Sequence, residues 1–348
     1  MRICVYAPWK VALNSNYCRI LQNAGYDVVL FRSDTHFDAD YYVFEPNVLL
    51  DRRQGKVKKI IEAINRFKQI RAQKPDVVFM DVPQRLPVLV MAICVAVRFP
   101  VVAMMHNAEP HDKADRLSQV TRVLTRIFIR KSRVVLGYSH FSAQQIQKRF
   151  PSAKVCSVPL VPSLPPFGRL PFSNDRKNFA IVGRWSYYKG FDVGFDIWSQ
   201  YTSRYKTDSV LDVWCSGLDA PTETPLNIHW RAHKKYAWDE FEEALRHYKA
   251  VLMPYRTATQ SGVQVLAWDF GVATLISNLP GLVELQPQCL PALDLEDVEG
   301  WVQAIHRLDS LSEAIAIGQT GLQESRELCG EEKVLQDLRI CLDALELH

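Results

Sequence analysis

The sequence lacks several patterns that would assign it to a specialised class of protein. None of its eight cysteines forms a Cys-x-x-Cys pair, and most lie in apolar runs, which predicts buried reduced thiols and a cytoplasmic location. The longest apolar run covers the 12 residues 86–97, which is too short to cross a bilayer and predicts a buried helix. The amino terminus shows no charged segment followed by a long apolar one, so a secretory signal is not predicted.

The composition excludes disorder, collagen and coiled coil. With 348 residues, of which 48% are hydrophobic and 23% charged, the chain is expected to form two domains with separate cores. The net charge of +4 by itself predicts no nucleic-acid or membrane partner. That charge is unevenly divided, because residues 1–170 hold 26 basic and 12 acidic residues, whereas residues 171–348 hold the remaining 16 and 26. A basic half and an acidic half therefore share one chain, which bears on where anions are drawn.

Short β-branched runs alternate with amphipathic helical stretches, a pattern typical of βαβ units and parallel sheets. Four prolines within residues 161–176 interrupt both periodicities and predict a linker. We therefore predict a doubly wound domain over 1–160, a second over 177–330, and a C-terminal helix over 331–348 that is expected to pack back on the first domain. Ligands of such sheets bind outside the carboxyl ends of the strands, so the cleft between the domains is the expected site.

The segment 179–190 joins the end of a predicted strand to two cations. The strand ends at Gly183, Arg184 follows at once, and Lys189 precedes the next helix. Two cations and the free amides of a helix N-terminus at one strand end favour a diphosphate group. The alternative is a helix start with two solvated cations.

The segment 251–284 is the second candidate for anion binding. A strand leads into Pro-Tyr-Arg at 254–256, and the small polar turn Gln-Ser-Gly at 260–262 opens the next helix. Glycine lets a ligand approach the backbone amides closely. A serine before a helix is otherwise an ordinary N-cap, which is the alternative here.

Together these motifs resemble the nucleotide-sugar-binding domain of family 4-like glycosyltransferases with the GT-B fold. The similarity lies in Val-Gly-Arg-x4-Lys-Gly from residue 182, Gln-Ser-Gly-Val from residue 260, and Gly-x4-Ile-x4-Gly-Leu-x-Glu from residue 271. In the first half, the run His106 to His111 is similar to the family's His-Asn-x-x-Pro-His loop. The resemblance implies an α/β protein whose two Rossmann-like domains, each a doubly wound parallel sheet, face each other across a cleft.

The resemblance also implies roles for individual residues. Arg184 and Lys189 would grip the diphosphate of a nucleotide-sugar and neutralise charge on the leaving group, with no metal or other cofactor. His106 would lie beside the donor sugar and the acceptor hydroxyl and orient or exchange a proton, the alternative being a structural histidine. Asn107 would be a further contact in the cleft, and His111 would be either a second such contact or a contact with the backbone of its own loop. The remaining donor-binding candidates are Gly183, Tyr255, Gln260, Ser261, Gly262 and Glu284.

The segment Thr257–Trp268 departs from the family pattern. It contains no acid, where many family members carry two glutamates, one of which holds the ribose; Gln260 is the partial substitute. The resemblance implies a hexosyltransferase, expected to retain anomeric configuration, that acts on a glycan or lipid-linked acceptor in cell-surface polysaccharide or glycolipid synthesis. The missing glutamates favour an alternative, a non-catalytic GT-B subunit that scaffolds a partner or membrane complex.

The positive charge of the first half is concentrated in two predicted helices. Residues 52–74 hold nine cations against Glu62 alone, and residues 116–133 hold six cations and no acid. The first helix carries an apolar stripe of helical spacing, Val57, Ile60, Ile61, Ile64, Phe67 and Ile70. In the second, arginines recur every fourth residue on one face, with apolar residues on another.

These cations predict binding to an anionic surface. A cation near anionic lipid contributes about 1 kcal/mol, so five or six of them would hold the protein reversibly at the inner face of the cytoplasmic membrane. Nucleic acid is not predicted as a partner, since no recognition motif accompanies the charge. The alternative is a solvated face. The predicted membrane-facing residues are Arg122, Arg126, Arg130, Lys56 and Lys59.

Overall fold

The chain folds as two α/β units. Unit 1 comprises Met1–Arg169 and Glu331–His348, and unit 2 comprises Leu170–Gly330. The predicted linker falls largely on residues that are not described. The computed structural model describes residues 1–7, 11–31, 56–108, 118–161, 172–217, 227–231 and 238–346.

Unit 1 is built on a six-stranded parallel sheet in the order β2-β1-β3-β4-β5-β6. The strands are β1 (Arg2–Tyr6), β2 (Asp27–Phe31), β3 (Val77–Asp81), β4 (Val101–Met105), β5 (Val134–Gly137) and β6 (Val155–Ser157). The helices are α1 (Val11–Asn23), α2 (Lys56–Ala72), α3 (Leu86–Arg98), α4 (Gln119–Lys131), α5 (His140–Arg149) and, from the end of the chain, α12 (Glu331–Asp343). Helix α12 packs on α1 and β6, where Arg19 pairs with Glu331 through both guanidinium nitrogens.

Unit 2 is built on a five-stranded parallel sheet in the order β11-β10-β7-β8-β9. The strands are β7 (Asn178–Arg184), β8 (Leu211–Ser216), β9 (Ile228–Trp230), β10 (Tyr248–Met253) and β11 (Ala273–Ile276). The helices are α6 (Phe191–Arg204), α7 (Trp238–Leu245), α8 (Gly262–Asp269), α9 (Pro280–Val283), α10 (Val298–Asp309) and α11 (Leu311–Cys329). The two parallel sheets predicted from the alternating pattern are confirmed.

Helices cover the sheets, so most strands are buried on both faces and consist of continuous apolar runs. Unit 2 holds two apolar clusters, and the fully buried Trp198, Trp268 and Trp301 belong to the same one. In unit 1 one large cluster joins the strands to α2, α3 and α4. Among the described residues no helix is both long enough and apolar enough to span a bilayer.

The apolar run 86–97 is not a buried helix throughout, contrary to the prediction. It forms α3, whose Leu86, Val90 and Val97 are exposed, and Cys94 is exposed beside them. All eight cysteines are free, five of them buried. The run is unbroken in sequence, but a helix packed on a sheet buries only one side, and here the opposite side is also apolar.

The stripe on α2 is likewise divided. Ile70 is fully buried and Phe67 packs against the core of unit 1, whereas Val57, Ile60, Ile61 and Ile64 are exposed. On α4, Phe128 and Ile129 are buried with Thr121 and Thr125, while Val120, Val123 and Ile127 are exposed beside the arginines. The apolar faces exist as predicted, but roughly half of their members do not face the core.

Candidate functional site

The strand order of unit 2 reverses direction at β7. From β7 the chain moves through β8 to β9 on one side, and then returns to place β10 on the other side. The carboxyl ends of β7 and β10 therefore open a crevice between their following loops, which is where doubly wound sheets bind ligands. Lys189 follows β7 and Tyr255 follows β10, so both lie at this crevice.

Two glycines allow the loop after β7 to approach β10 closely. Gly190 has φ +63°, and a Cβ there would lie 1.9 Å from the Pro254 carbonyl oxygen. Gly183 has φ +146°, and a Cβ there would meet Lys189 Cε at 3.2 Å. Any larger residue at Gly190 would push the N-terminus of α6 off β10.

Lys189 is held against a buried tyrosine. Its ammonium donates to the Tyr255 hydroxyl at 2.7 Å and lies 3.9 Å from the centre of that ring, and Tyr255 also hydrogen-bonds Ser261. Burial lowers the pKa of Lys189 to about 8, and the charge of Arg184 adds to the effect. Among the described residues no carboxylate lies within ion-pairing distance of Lys189. The result is a desolvated cation, which an incoming anion would stabilise.

Arg184, the last residue of β7, is exposed. The next residue, Trp185, is 39% exposed and packs against Phe191 and Trp230, with ring centres 5.2 Å and 6.4 Å away. A partly exposed tryptophan therefore follows the first predicted phosphate ligand directly.

A clamp between Arg256 and Asp192 was not predicted from the sequence. Arg256 binds both carboxylate oxygens of Asp192 at 2.8 Å and 2.7 Å, donates to the Tyr187 carbonyl at 2.9 Å, and lies over the Tyr187 ring. Its backbone amide donates to the Tyr188 carbonyl. The clamp fixes the 3-10 turn Tyr187–Lys189 and neutralises a carboxylate in the first turn of α6, which would otherwise repel an anion there.

The N-terminus of α8 is not capped by a side chain. Ser261 occupies the N-cap position without a side-chain cap hydrogen bond, since its hydroxyl is engaged with Tyr255 instead. A Cβ on Gly262 would meet no atom within 4 Å. This first turn thus offers backbone amides in open space, as an anion site requires. Gln260, half-buried, lies in the turn that leads into it.

A buried amide network positions α8 against the segment after β11. Gln286 Oε1 accepts from Gln264 Nε2 at 3.0 Å and from Thr274 Oγ1 at 2.9 Å, and Gln286 Nε2 donates to two backbone carbonyls. Gly281 packs directly on the backbone of Thr259, which joins α9 to the loop before α8. Glu284, half-buried, ends α9.

In unit 1, His106 follows β4 and lies next to the end of β3. Its Nε2 is 3.7 Å from Asp81 Oδ1, and its ring stacks on Tyr138 with centres 4.0 Å apart. Burial and the charge of Asp81 raise the pKa of Tyr138 well above its ordinary value. His106 was predicted from the sequence, but Asp81 and Tyr138 were not, since the contact between adjacent strand ends appears only in the fold.

The other predicted site residues are placed as follows. The structure brings together Gly183, Lys189, Tyr255 and Ser261 in unit 2, and Asn107 follows His106 in unit 1. Arg122, Arg126 and Arg130 are exposed on α4, and Lys59 is half-buried on α2. His111 and the side chain of Lys56 lie outside the described part of the chain. Within that part, no three His, Cys, Asp or Glu side chains gather as a metal site would require.

Part of unit 1 is similar in sequence to a known protein family. Residues 15–160 match the model of Glycosyltransferase Family 4. No curated protein sequence matches the chain.

Solved structures match over the whole length. Sucrose-phosphate synthase from Thermosynechococcus elongatus is 12% identical with a TM-score of 0.70, and the match covers 99% of both chains. The catalytic domain of starch synthase IV from Arabidopsis thaliana, bound to ADP and acarbose, is 10% identical with a TM-score of 0.71 and the same coverage. The lipopolysaccharide outer core galactosyltransferase WaaB is 13% identical with a TM-score of 0.63, again over 99% of both chains. These likenesses show the GT-B fold.

The family model covers the part of unit 1 that contains His106, and the GT-B fold extends over the whole chain, including the crevice of unit 2. The chain thus has the GT-B fold, and its residues 15–160 are similar to Glycosyltransferase Family 4.

Proposed function

We propose that the chain transfers a hexosyl group from a nucleotide-sugar to a hydroxyl of a glycan or lipid-linked acceptor, in cell-surface polysaccharide or glycolipid synthesis. The observation that carries the donor part is the desolvated ammonium of Lys189, held on Tyr255 between the ends of β7 and β10. Two of the similar structures support the proposed substrates, since one is bound to ADP and acarbose and another is a galactosyltransferase of lipopolysaccharide.

Arg184 and Lys189 are proposed to bind the diphosphate. When the bond between the anomeric carbon and the diphosphate breaks, negative charge grows on the diphosphate oxygen. Fixed cations stabilise that charge without the reorganisation that water would need. The amides at the start of α8 add partial positive charge to the same crevice. These groups let the reaction proceed without a metal ion, as the family resemblance implies.

Unit 1 is proposed to act on the acceptor. His106 is held by stacking on Tyr138 and lies 3.7 Å from Asp81 Oδ1, so its orientation is fixed before any substrate binds. An imidazole fixed in this way can orient an acceptor hydroxyl or exchange a proton with it. We propose that anomeric configuration is retained, which NMR of the first-formed product would show directly.

The acceptor is proposed to be presented at the inner face of the cytoplasmic membrane. Arg122, Arg126 and Arg130 are all exposed on α4, and that helix carries no acid. The cations Lys56 and Lys59 begin α2 in the same unit. Cations near anionic lipid attract a protein reversibly.

Nucleotide binding tests the donor proposal most directly. The melting temperature is measured with UDP, GDP, ADP and their sugar derivatives, together with the tryptophan fluorescence of wild type and Trp185→Phe. We expect one nucleotide to raise the melting temperature, and Lys189→Ala and Arg184→Ala to reduce that rise at the same nucleotide concentration. Arg204→Ala serves as the matched control, because Arg204 pairs with Glu299 at the other end of α6.

The result also separates the proposed transferase from the scaffold alternative. If no nucleotide or nucleotide-sugar binds, and both crevice variants behave like wild type, the donor proposal is wrong. Membrane binding that persists without any nucleotide affinity would then favour the non-catalytic GT-B subunit.

A further inference from the structure

Exposed apolar side chains are concentrated on three neighbouring helices of unit 1. Ten of the sixteen large apolar side chains that are exposed in the described residues lie on α2, α3 and α4. Helix α3 packs against α2 on one side and α4 on the other, so the three form one layer on the sheet. A soluble surface scatters such residues singly, and their concentration marks a surface that is covered in use.

Each helix contributes a stripe of helical spacing. On α2 the stripe is Val57, Ile60, Ile61 and Ile64, with Val57 71% exposed. On α3 it is Leu86, Val90, Cys94 and Val97, with Val97 68% exposed. On α4 it is Val120, Val123 and Ile127, with Val120 59% exposed. We call these three stripes together the apolar face.

Cations flank the apolar face, and carboxylates are nearly absent from it. Arg122, Arg126 and Arg130 lie on the row of α4 next to its apolar stripe, and all three are exposed. Lys68 and Arg71 are exposed on α2, and Arg98 is exposed at the end of α3. Glu62 is the only acid on the three helices. An apolar stripe bordered by lysine and arginine is the pattern of a helix that lies in a lipid interface.

We propose that the apolar face inserts into the headgroup region of an anionic bilayer, with valine, leucine and isoleucine side chains buried among the acyl chains. This inference rests on the proposed membrane association and adds its mode, which is insertion rather than electrostatic attraction alone. The flanking cations indicate what the apolar face contacts. A second copy of the chain would place cations against cations, whereas anionic headgroups are complementary to them in charge. Insertion also explains why these exposed positions are apolar, since a face in contact with water alone would not require apolar residues there.

Cys94 provides a probe on the central stripe. It is the one exposed cysteine of the eight, whereas Cys156 and Cys289 are partly exposed. Both of these are changed to serine in every chain used, so that a thiol-reactive environment-sensitive dye such as NBD labels Cys94 alone. On vesicles of 30% phosphatidylglycerol in phosphatidylcholine, we expect NBD emission to rise and shift to the blue. The matched control carries the dye at Leu311→Cys in a Cys94→Ser chain, since Leu311 is similarly exposed in unit 2, and its emission should not change.

Vesicle sedimentation at low and high salt distinguishes insertion of the apolar side chains from electrostatic attraction alone. Wild type should stay partly bound in 0.5 M NaCl, where exposed charges are screened. Val90→Asp with Val97→Asp should weaken binding at least tenfold at both salt concentrations, and Arg122→Glu with Arg126→Glu and Arg130→Glu should do so at low salt. Leu311→Asp is the control. All these positions are exposed, so the fold is retained.

Three outcomes would overturn the proposal. The first is unchanged sedimentation of the Val90→Asp, Val97→Asp variant, or unchanged NBD emission from protein that has sedimented. The second is a dimer in sedimentation equilibrium that the same variant converts to monomer. The third is protection of Cys94 from thiol reagents in the absence of vesicles. Nucleotide binding is measured on the same samples, because it fails or succeeds independently of insertion and reports on the proposed transferase.

Discussion

At the carboxyl edge of the unit 2 sheet, the desolvated Lys189 donates to a neutral phenol and has no carboxylate partner among the described residues, whereas at the amino edge a carboxylate is fully paired. Asp309 accepts from Lys249 and Ser209 through Oδ1, at 2.8 Å and 2.6 Å, and from Tyr201 and Thr207 through Oδ2, at 2.7 Å each. Burial alone would raise the pKa of Asp309, but these hydrogen bonds, led by that of Lys249, outweigh it and lower the pKa to about 2.

The difference separates stability from ligand binding within one sheet. The amino edge has its charges satisfied by the protein, so it contributes to the free energy of unfolding. The carboxyl edge keeps a cation and the amides of α8 available to an anion, which would give them a charged partner. Variants at one edge should therefore leave the property of the other edge unchanged.

The largest expected effect is at the amino edge. Asp309→Ala removes four hydrogen bonds and leaves Lys249 without its carboxylate partner. The free energy of unfolding in urea should therefore fall by about 3 kcal/mol. Asp196→Ala, which removes a single exposed hydrogen bond from Gln200, is the control and should change it by less than about 0.5 kcal/mol. Nucleotide affinity at low temperature should be unchanged in both, and a loss of affinity in Asp309→Ala would break the separation.

The next largest effect is a loss of nucleotide affinity at the carboxyl edge, with no loss of stability. Lys189→Ala should weaken binding of the nucleoside diphosphate by about 30-fold, or about 2 kcal/mol, measured by calorimetry. The melting temperature of the free protein should not fall, because the variant removes a desolvated cation. Lys206→Ala, an exposed lysine near the amino edge, is the control for charge alone. Equal losses in the two lysine variants would show that only net charge matters.

The stability contributed by the amino edge should depend on pH in the acid range, and the nucleotide affinity of the carboxyl edge should depend on pH in the alkaline range. The pKa of Asp309 is lowered to about 2 from 3.8, so the stabilisation is present above pH 4 and is lost, by about 2 kcal/mol, as pH falls toward 2. The pKa of Lys189 is lowered to about 8, so above pH 8 the diphosphate must bind with uptake of a proton. Affinity should then fall about tenfold per pH unit.

Lys189→Ala and Asp309→Ala are the matched controls for these pH profiles. Lys189→Ala should remove the alkaline dependence of nucleotide affinity, and Asp309→Ala should remove the acid loss of stability. The free protein should not be destabilised by Lys189 above pH 8, since a lowered lysine pKa favours the folded state as pH rises. An alkaline fall in affinity that persists in Lys189→Ala would assign the titration to another group.

The smallest expected effect concerns the clamp. Arg256→Gln should free the turn Tyr187–Lys189 and weaken nucleotide binding about fivefold, or about 1 kcal/mol. Asp192→Asn should have a similar effect, and the double variant should be no worse than either, as expected for one shared interaction. Arg204→Gln, which breaks a surface pair on the same helix, should leave affinity unchanged. Additive losses would mean that Arg256 acts independently of Asp192.

The sheets could be predicted from the sequence, and several contacts could not. The alternation of strand and helix patterns predicted the two parallel sheets that the structure shows. Lys189 and Tyr255 could be expected near one another, since each follows a strand of the same sheet. The clamp joins residues 64 positions apart, and no local pattern encodes such a pairing.

Burial was the harder property to predict. Periodicity shows that Val57, Ile60 and Ile64 share a face of α2, but not whether another element covers that face. The same holds for Val90 and Val97 on α3, whose unbroken apolar run suggested complete burial. An exposed stripe and a buried one have the same sequence signature, so only packing distinguishes a core from a docking face.

The division of unit 1 into two stretches of chain has a consequence for biosynthesis. Helix α12 packs on α1 and β6, yet 161 residues of unit 2 are translated between Arg169 and Glu331. At about 5–20 residues per second, that interval lasts roughly 8–32 s. The nascent first stretch must therefore wait, with the surface that receives α12 still uncovered, and we expect chains stalled before residue 331 to bind chaperones that complete chains do not. Translation speed through unit 2 thus sets how long unit 1 depends on cellular assistance.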